Sequence, residues 1–186
     1  GTGIAVSERA GLDLEEVRLT ENLRFGLWAR DAGRAALLRC VLSGNMGAGA
    51  YAEGGPEVAF REGEVRENRG HGVWVRGDSR IRMTGTRIRS NGENGLFAEE
   101  RARFFLERCE AGFNRCGVAA KGAARVRAER CAFDRQAVLG LDFGGGSRLR
   151  LSSCDVQFTP QGLALQCTAV VVADSSRFTH LGRGAV

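Results

Sequence analysis

The chain has 186 residues, of which 27 are glycine, 2 are proline and 43% are hydrophobic, and its formal net charge is +5. No apolar run approaches the roughly 18 residues that a membrane-spanning helix needs, and no secretory signal is visible, so the sequence predicts no membrane partner. With two histidines, two methionines and no Cys-x-x-Cys motif, the chain is poorly equipped to bind transition metals, and we expect no metal and no cofactor.

One short pattern recurs along the whole chain: a glycine followed by an apolar residue, a variable residue and a second apolar residue. Neighbouring copies of this glycine phrase start 22 or 23 residues apart. A period this short and constant is typical of a solenoid, in which each repeat is one coil that buries its apolar face only against its neighbours. In chain order the copies start at Gly3, Gly26, Gly49, Gly72, Gly95, Gly117, Gly140, Gly162 and Gly184.

Two further alternating runs follow the glycine phrase in each coil. In one coil they run over 58–60 and 63–65, and in another over 149–151 and 154–156. Their period of two is that of a strand, and no segment has the period of a helix. Three short strands per coil predict an all-β fold, a parallel β-helix of about eight coils. The coil length excludes the left-handed type, which is built from hexapeptides.

These repeats resemble the right-handed parallel β-helix of the pectate-lyase-like superfamily, and the resemblance covers residues 1–186. We expect a single domain over this range. Because both ends fall within the glycine phrase without a polar capping unit, we expect it to be a segment of a longer protein or a module that stacks end to end. The resemblance implies little about chemistry, since the superfamily includes polysaccharide lyases, hydrolases, epimerases, phage tailspikes and proteins without known activity.

A column of amide side chains supports this fold. Its members recur every 22 or 23 residues and are Asn22, Asn45, Asn68, Asn91 and Asn114, continued by Gln136 and Thr159. Amides stacked about 4.8 Å apart at a turn hydrogen-bond their copies in neighbouring coils. We therefore predict an asparagine ladder, and this structural role is favoured over a row of ligand-binding amides.

Four of the six cysteines share one inward position at the third strand of their coils: Cys40, Cys109, Cys131 and Cys154. Val17, Thr86 and Ser176 take that position elsewhere, so it requires a small buried side chain. In-register parallel neighbours offer poor disulfide geometry, so we expect reduced thiols and a cytoplasmic location, with a secreted or periplasmic one left open. Cys116 and Cys167 are expected at turns.

The middle residue of each glycine phrase is expected to point outward, because its two apolar neighbours point inward. Four successive coils place large aromatics there, the aromatic column: Trp28, Tyr51, Trp74 and Phe97. Monomers rarely leave such a patch bare. Three interpretations compete. In the first, the aromatic column supports the sheet or lies beneath another part of the protein. In the second it docks a protein partner or a second copy, and in the third it is a flat surface on which sugar rings stack. The sequence favours the first two interpretations and leaves the third open.

Beside the aromatic column runs a charge column whose sign alternates from coil to coil: Arg30, Glu53, Arg76, Glu99 and Lys121. Exposed ion pairs contribute only about 0–1 kcal/mol each. A slip of one coil would nevertheless bring like charges together along the whole column. We interpret the charge column as specifying the register of the coils through pairing between neighbours.

Seven arginines over four coils form a basic edge near the second strand: Arg80, Arg82, Arg103, Arg125, Arg127, Arg148 and Arg150. Arg80, Arg103, Arg125 and Arg148 occupy the last turn position before that strand, and the others lie two residues on. Their stems could simply cover apolar surface and their guanidinium groups pair with carboxylates. Alternatively, the basic edge attracts an anionic polymer such as a uronate polysaccharide. Nucleic acid is disfavoured, since the net charge is modest and no nucleic-acid motif is present.

No catalytic arrangement is predicted. Glu107 and Glu129 lie one coil apart, but any two residues of one column have that spacing, so it does not indicate a glycosidase pair. Each is followed by an arginine that favours ion pairing, and coils this short leave bare turns instead of a walled cleft. The sequence therefore favours a non-catalytic scaffold that binds a protein partner or another copy through the aromatic column, the basic edge or its open ends. The alternative is a carbohydrate-binding or carbohydrate-active domain.

Overall fold

The computed structural model describes residues 1–182, so the last glycine phrase, which starts at Gly184, lies outside the described residues. Over 1–182 the chain forms 24 short strands and no helix, and hence no helix that could cross a membrane. Every third strand joins the same sheet, and three parallel sheets of eight strands each wind into a solenoid. The prediction of an all-β parallel β-helix with three strands per coil is confirmed.

The strands are numbered in chain order. The first sheet contains the glycine phrases: β1 (Ile4–Val6), β4 (Leu27–Arg30), β7 (Ala50–Glu53), β10 (Val73–Val75), β13 (Asn94–Ala98), β16 (Cys116–Ala120), β19 (Leu139–Phe143) and β22 (Gln161–Leu165). The second sheet contains β2 (Gly11–Glu15), β5 (Arg34–Leu38), β8 (Glu57–Arg61), β11 (Arg80–Thr84), β14 (Arg103–Glu107), β17 (Arg125–Glu129), β20 (Arg148–Ser152) and β23 (Val170–Asp174). The third sheet contains β3 (Arg18–Thr20), β6 (Val41–Ser43), β9 (Glu64–Arg66), β12 (Arg87–Arg89), β15 (Glu110–Gly112), β18 (Ala132–Asp134), β21 (Asp155–Gln157) and β24 (Arg177–Thr179).

Neighbouring coils stack in register, so residues 22 or 23 apart in sequence are direct neighbours. Trp74 pairs with Tyr51 on one side and with Phe97 on the other. Inside the coils, alternate residues of all three sheets form one continuous apolar core that includes Leu27, Phe60 and Ile88, each exposed by 2% or less. Because the strand period is two, the residues between them point outward, and the predicted inward and outward columns exist.

Each coil bends at three residues that adopt left-handed backbone conformation. In one coil these are Glu62, Glu67 and Gly77, with φ of 54°, 55° and 72°. A single left-handed residue turns the chain sharply, so successive strands are joined by short corners. Most of these corner residues are not glycine, and this backbone conformation is unfavourable for them.

The asparagine ladder is confirmed. Asn45 donates from Nδ2 to Oδ1 of Asn68 at 2.8 Å, and Asn68 donates likewise to Asn91 at 2.9 Å. Each Oδ1 also accepts the backbone N–H of the preceding rung, as in the 3.1 Å bond from Asn45 N to Asn68. Nδ2 of Asn68 also donates to the carbonyl of Leu42, and Gln136 continues the ladder by accepting from Asn114 N at 3.0 Å. The buried corner amides are thereby satisfied.

Cys40, Cys109, Cys131 and Cys154 lie inside the coils, immediately before third-sheet strands, and are exposed by 1–3%. All six cysteines are free thiols, and Sγ of Cys109 donates to the carbonyl of Glu107 at 3.4 Å. The turn predicted for Cys116 is wrong. This residue begins β16 and is exposed by 4%, and burial raises the pKa of its thiol to about 12. Cys167 lies at an exposed turn, as predicted.

Candidate functional site

The aromatic column stands in register on the outer face of the first sheet, but it is not the solvent-facing stack that the sequence predicted. Tyr51 and Phe97 are exposed by only 7% and 9%, and the two tryptophans are half-buried. The reason is a second set of outward residues just before the glycine phrases. Phe25 packs against Tyr51 with ring centroids 4.9 Å apart, and His71 packs against Phe97 at 4.8 Å.

The charge column covers these rings and does not pair with itself. Glu53 accepts hydrogen bonds from Nε1 of Trp28 at 3.2 Å and from the hydroxyl of Tyr51 at 2.8 Å. Burial and this bond to Glu53 raise the pKa of Tyr51 to about 12. The predicted pairing of Arg76 with its column neighbours is wrong, because Arg76 instead contacts Glu100 at 2.8 Å.

Arg30 similarly lies 4.0 Å from Asp31, and Lys121 lies over the ring of Phe97 at 5.7 Å. For both arginines a carboxylate at a corner, Asp31 or Glu100, is preferred to the in-register member of the charge column. The charge column is therefore the polar cover of an outer aromatic layer, in which Trp28 and Trp74 are the partly exposed members of the aromatic column.

His71 is a second titratable group of this layer, and its side chain is 12% exposed. Its Nδ1 accepts the backbone N–H of Asn94 at 3.3 Å, and its Nε2 donates to Oε2 of Glu93 at 2.9 Å. Burial lowers the pKa of His71, although Glu93 and Glu99 act in the opposite direction. A neutral imidazole satisfies both bonds, so His71 has a structural role here.

The basic edge lies on the outer face of the second sheet. Arg80, Arg103, Arg125 and Arg148 are the first residues of their strands, not the last residues of turns. Arg103, Arg125 and Arg148 are direct neighbours on β14, β17 and β20, and Arg127 lies directly beside Arg150. Like charges on adjacent strands repel one another, so this arrangement costs stability in the absence of counter-charges.

Few carboxylates neutralise the basic edge. Over residues 1–182, only Arg80 among its seven arginines forms a salt bridge, with Oε1 of Glu57 at 3.0 Å. Glu107 and Glu129, which could have offset it, pair instead with the arginines that follow them, each at 3.1 Å. That preference was predicted from the sequence. The other six arginines form no salt bridge within residues 1–182, and all of them except Arg103 are exposed.

On the outer face of the third sheet, by contrast, most arginines are paired with carboxylates. There Arg87 lies 3.4 Å from Glu110, and Arg177 lies 2.9 Å from Asp155. Glu64 accepts bonds from both Arg66 and Arg89. Although burial opposes ionisation, these two arginines lower the pKa of Glu64. On the described strands of the third sheet, four of the five arginines thus form salt bridges and only Arg18 does not. On the basic edge the proportion is reversed, with one paired arginine among seven.

Phe105 lies in the middle of the basic edge and was not recognised from the sequence. It belongs to the same outward column as Arg82 and Arg127 and is 37% exposed, with the Arg82 guanidinium 5.7 Å from its ring. The alternation of β14 alone could have identified it. Beside Phe105, a shallow depression of about 460 Å³ continues over the arginines of β17 and β20.

A second depression of about 500 Å³ adjoins Phe105 on the other side, and the outward residues of its floor include Ala36 and Ala59. Both depressions include Phe105 in their linings, and together they are called the trough here. Over β2, β5 and β8 the trough carries charges of both signs, whereas arginines are the only charged residues that line its second depression. Across residues 1–182, no group of three or more His, Cys, Asp or Glu side chains is arranged to hold a metal ion.

Residues 57–186 match the family model described as right handed beta helix region. The chain belongs to this family. The expected right-handed parallel β-helix is confirmed. A crystal structure of pectate lyase Pel9A is similar, with a TM-score of 0.59 and 12% identity, over 91% of this β-helix chain and 57% of the pectate lyase. The chain thus spans little more than half the length of that enzyme, and the likeness establishes the fold alone.

A structure of QnrB1, a plasmid-mediated fluoroquinolone resistance protein, matches with a TM-score of 0.22 and 12% identity, over 96% of this chain and 92% of that one. A score this low supports no argument about the β-helix described here. No curated protein matches the sequence significantly.

Proposed function

We propose that this β-helix is a binding module that holds an extended acidic polysaccharide along its basic edge. The observation that carries the proposal is the unpaired state of Arg103, Arg125 and Arg148, which stand side by side on neighbouring strands. A row of like charges without carboxylate partners is relieved when an anion binds to it. The planar guanidinium fork of arginine matches a carboxylate in geometry and forms bidentate hydrogen bonds with it.

The direction of the arginine columns favours a polymer over a small anion. Both columns run along the rod axis, with a rise of about 4.8 Å from strand to strand. Successive acidic groups of an extended chain can therefore meet successive arginines along the trough. An open trough without walls also suits a long ligand that enters from the side.

Phe105 favours a sugar chain over other acidic polymers. Its partly exposed ring lies within the row of arginines, where the apolar face of a sugar ring can stack while its carboxylate meets Arg82 or Arg127. One similar solved structure is that of a pectate lyase, and pectate is an acidic polysaccharide. In this proposal the aromatic column stabilises the first sheet and does not bind the sugar chain, because its rings are largely covered.

The experiment is a titration calorimetry series with polygalacturonate, a neutral glucan and polyglutamate. Wild type is compared with the Arg127→Ala/Arg150→Ala double variant, with Phe105→Ala, and with Arg87→Ala, which removes an exposed arginine from the paired third sheet. We expect binding of polygalacturonate, a loss of affinity of about tenfold or more in the double variant, and no change in Arg87→Ala.

The same series distinguishes the other partners. Equal affinity for polyglutamate, unaffected by Phe105→Ala, would replace the sugar ligand by an acidic protein surface and so support the scaffold interpretation. Binding of the neutral glucan with similar affinity, or unchanged binding in the double variant, would refute the role of the basic edge.

A further inference from the structure

One corner of the rod, away from the basic edge, carries a continuous exposed stack of planar side chains. The corner joins the third sheet to the first, immediately before the ladder residues. In four successive coils it is occupied by Phe113, Arg135, Phe158 and His180, all exposed. The Arg135 guanidinium lies 5.6 Å from the Phe113 ring and 5.7 Å from the Phe158 ring, and His180 stacks on Phe158 at 4.6 Å.

The backbone of this corner makes the large side chains unexpected. Phe113 and Phe158 have φ of 57° and 51°, in the left-handed region that bulky residues rarely occupy. Gly44 takes the same corner in another coil, so glycine is compatible with the fold at this position. Left-handed backbone is common to the corners of this fold, but exposed aromatic rings that form a continuous patch mark an interaction surface.

In the N-terminal half of the rod the same corner carries acidic or small residues. They are Glu21, Gly44, Glu67 and Ser90, all exposed. The whole corner, called here the corner ridge, therefore has one half that is acidic and small and one half that is aromatic and cationic. Such a polarised ridge is complementary to itself when two copies lie antiparallel.

We propose that the corner ridge is a self-association surface on which a second copy of this chain packs antiparallel, related by a two-fold axis between the fourth and fifth coils. In that arrangement Glu67 of one copy faces Arg135 of the other, and Glu21 faces His180, which can donate a hydrogen bond to its carboxylate. Within one chain, Glu67 contacts Arg66 at 2.6 Å, and Arg135 lies 3.9 Å from Asp134. Both charges are exposed enough to engage a second partner.

The sizes of the side chains on the corner ridge support the same antiparallel register as their charges. In the same register, Phe158 of one copy faces Gly44 of the other, and Phe113 faces Ser90. Each large ring thus meets a position where the partner has little or no side chain, which allows the two ridges to approach closely. Because the contact is two-fold symmetric, every pair occurs twice, and the assembly closes as a dimer without forming fibres.

Sedimentation equilibrium over the micromolar range tests the proposal on the wild-type chain, with circular dichroism to verify folding. We expect a dimer that Glu67→Arg or Arg135→Glu converts to a monomer and that the double charge swap restores. Both residue types already occur on the corner ridge, so each substitution is compatible with the backbone. Glu67 and Arg135 are three coils apart, about 14 Å, so rescue cannot arise within one chain.

Arg87→Glu on the third sheet is the matched control and should leave the dimer intact. A monomeric wild type, or a double charge swap that fails to restore the dimer lost in the folded single variants, would overturn the proposal. Polygalacturonate binding is measured separately on the same variants. Its presence or absence tests the basic edge and leaves the conclusion about the corner ridge unaffected.

Discussion

Nε1 of Trp74 donates a hydrogen bond of 2.8 Å to Oε2 of Glu99, which belongs to the next coil. The bond joins the aromatic column to the charge column and links two successive turns of the rod. The outer face of the first sheet is therefore a second, thinner apolar layer with its own polar cover.

Glu99→Ala should lower the free energy of unfolding by about 1–2 kcal/mol, because the half-buried indole N–H of Trp74 loses its acceptor. Urea denaturation measures the change. Glu99→Gln retains an acceptor oxygen at the same place and should lose less. Equal stability of the alanine variant and wild type would show that water replaces the carboxylate without cost.

The asparagine ladder predicts a larger effect in the interior. Asn68→Ala should lower the free energy of unfolding by about 2–4 kcal/mol, because buried groups of the neighbouring coil lose their partners. Asn68→Gln should be milder, since Gln136 shows that a glutamine can accept at this position. Chemical denaturation measures the free energy of unfolding of both variants. An Asn68→Gln variant as unstable as Asn68→Ala would contradict the expected milder effect of glutamine.

The burial of five cysteines predicts selective thiol chemistry. Of the six free thiols, only Cys167 is exposed, so a thiol-reactive reagent should label about one cysteine in the native protein and all six after unfolding. Cys167→Ser should abolish the native labelling. Rapid labelling of a second thiol in that variant would mean that the coils open readily.

The inward position shared by Cys40, Cys109, Cys131 and Cys154 also predicts that two substitutions of Cys131 differ in their effect on stability. Cys131→Val should fold, because valine takes the equivalent place in another coil, whereas Cys131→Asp buries a charge without a partner and should unfold the rod. Thermal denaturation compares them. A Cys131→Asp variant that melts like wild type would show that this column does not point inward.

His71 predicts a dependence of stability on pH. Burial lowers its pKa below the value of about 6.5 expected in the unfolded chain. Its contribution is therefore complete above that pH and is lost as the pH falls towards the folded pKa, because the unfolded state binds the proton more tightly. Unfolding free energies at pH 7.5 and pH 5 measure the loss.

His71→Gln can accept from Asn94 and donate to Glu93 without titrating. The variant should therefore lose less stability between the two pH values than wild type. If the variant and wild type show the same pH dependence, His71 does not cause it.

Much of the architecture was predictable because two periods determine it. The repeat of 22 or 23 residues gives the neighbours of every residue in the adjacent coils, and alternation within a strand gives the side on which each side chain lies. These two rules sufficed for the asparagine ladder, for the inward position of Cys109 and for the outward column of Arg82, Arg127 and Arg150.

What the two rules could not predict depends on neighbours outside the regular strands. The direction of Tyr51 was correct, but its burial comes from Phe25, which lies in a stretch without alternation. The partner of Arg76 was misassigned because Glu100, at a corner, competes with the in-register Glu99. Choices between nearby carboxylates depend on side-chain conformation, which sequence spacing does not determine.

Because the asparagine ladder is polar, the loss of one of its side chains affects the two neighbouring coils unequally. Loss of the Asn68 side chain deprives the N–H and Nδ2 of Asn45, and the carbonyl of Leu42, of a partner, and all of these lie in the coil before it. The following rung, Asn91, keeps the donor it receives from the backbone of Asn68. A fault in one coil therefore weakens the turn on its N-terminal side and largely spares the turn on its C-terminal side.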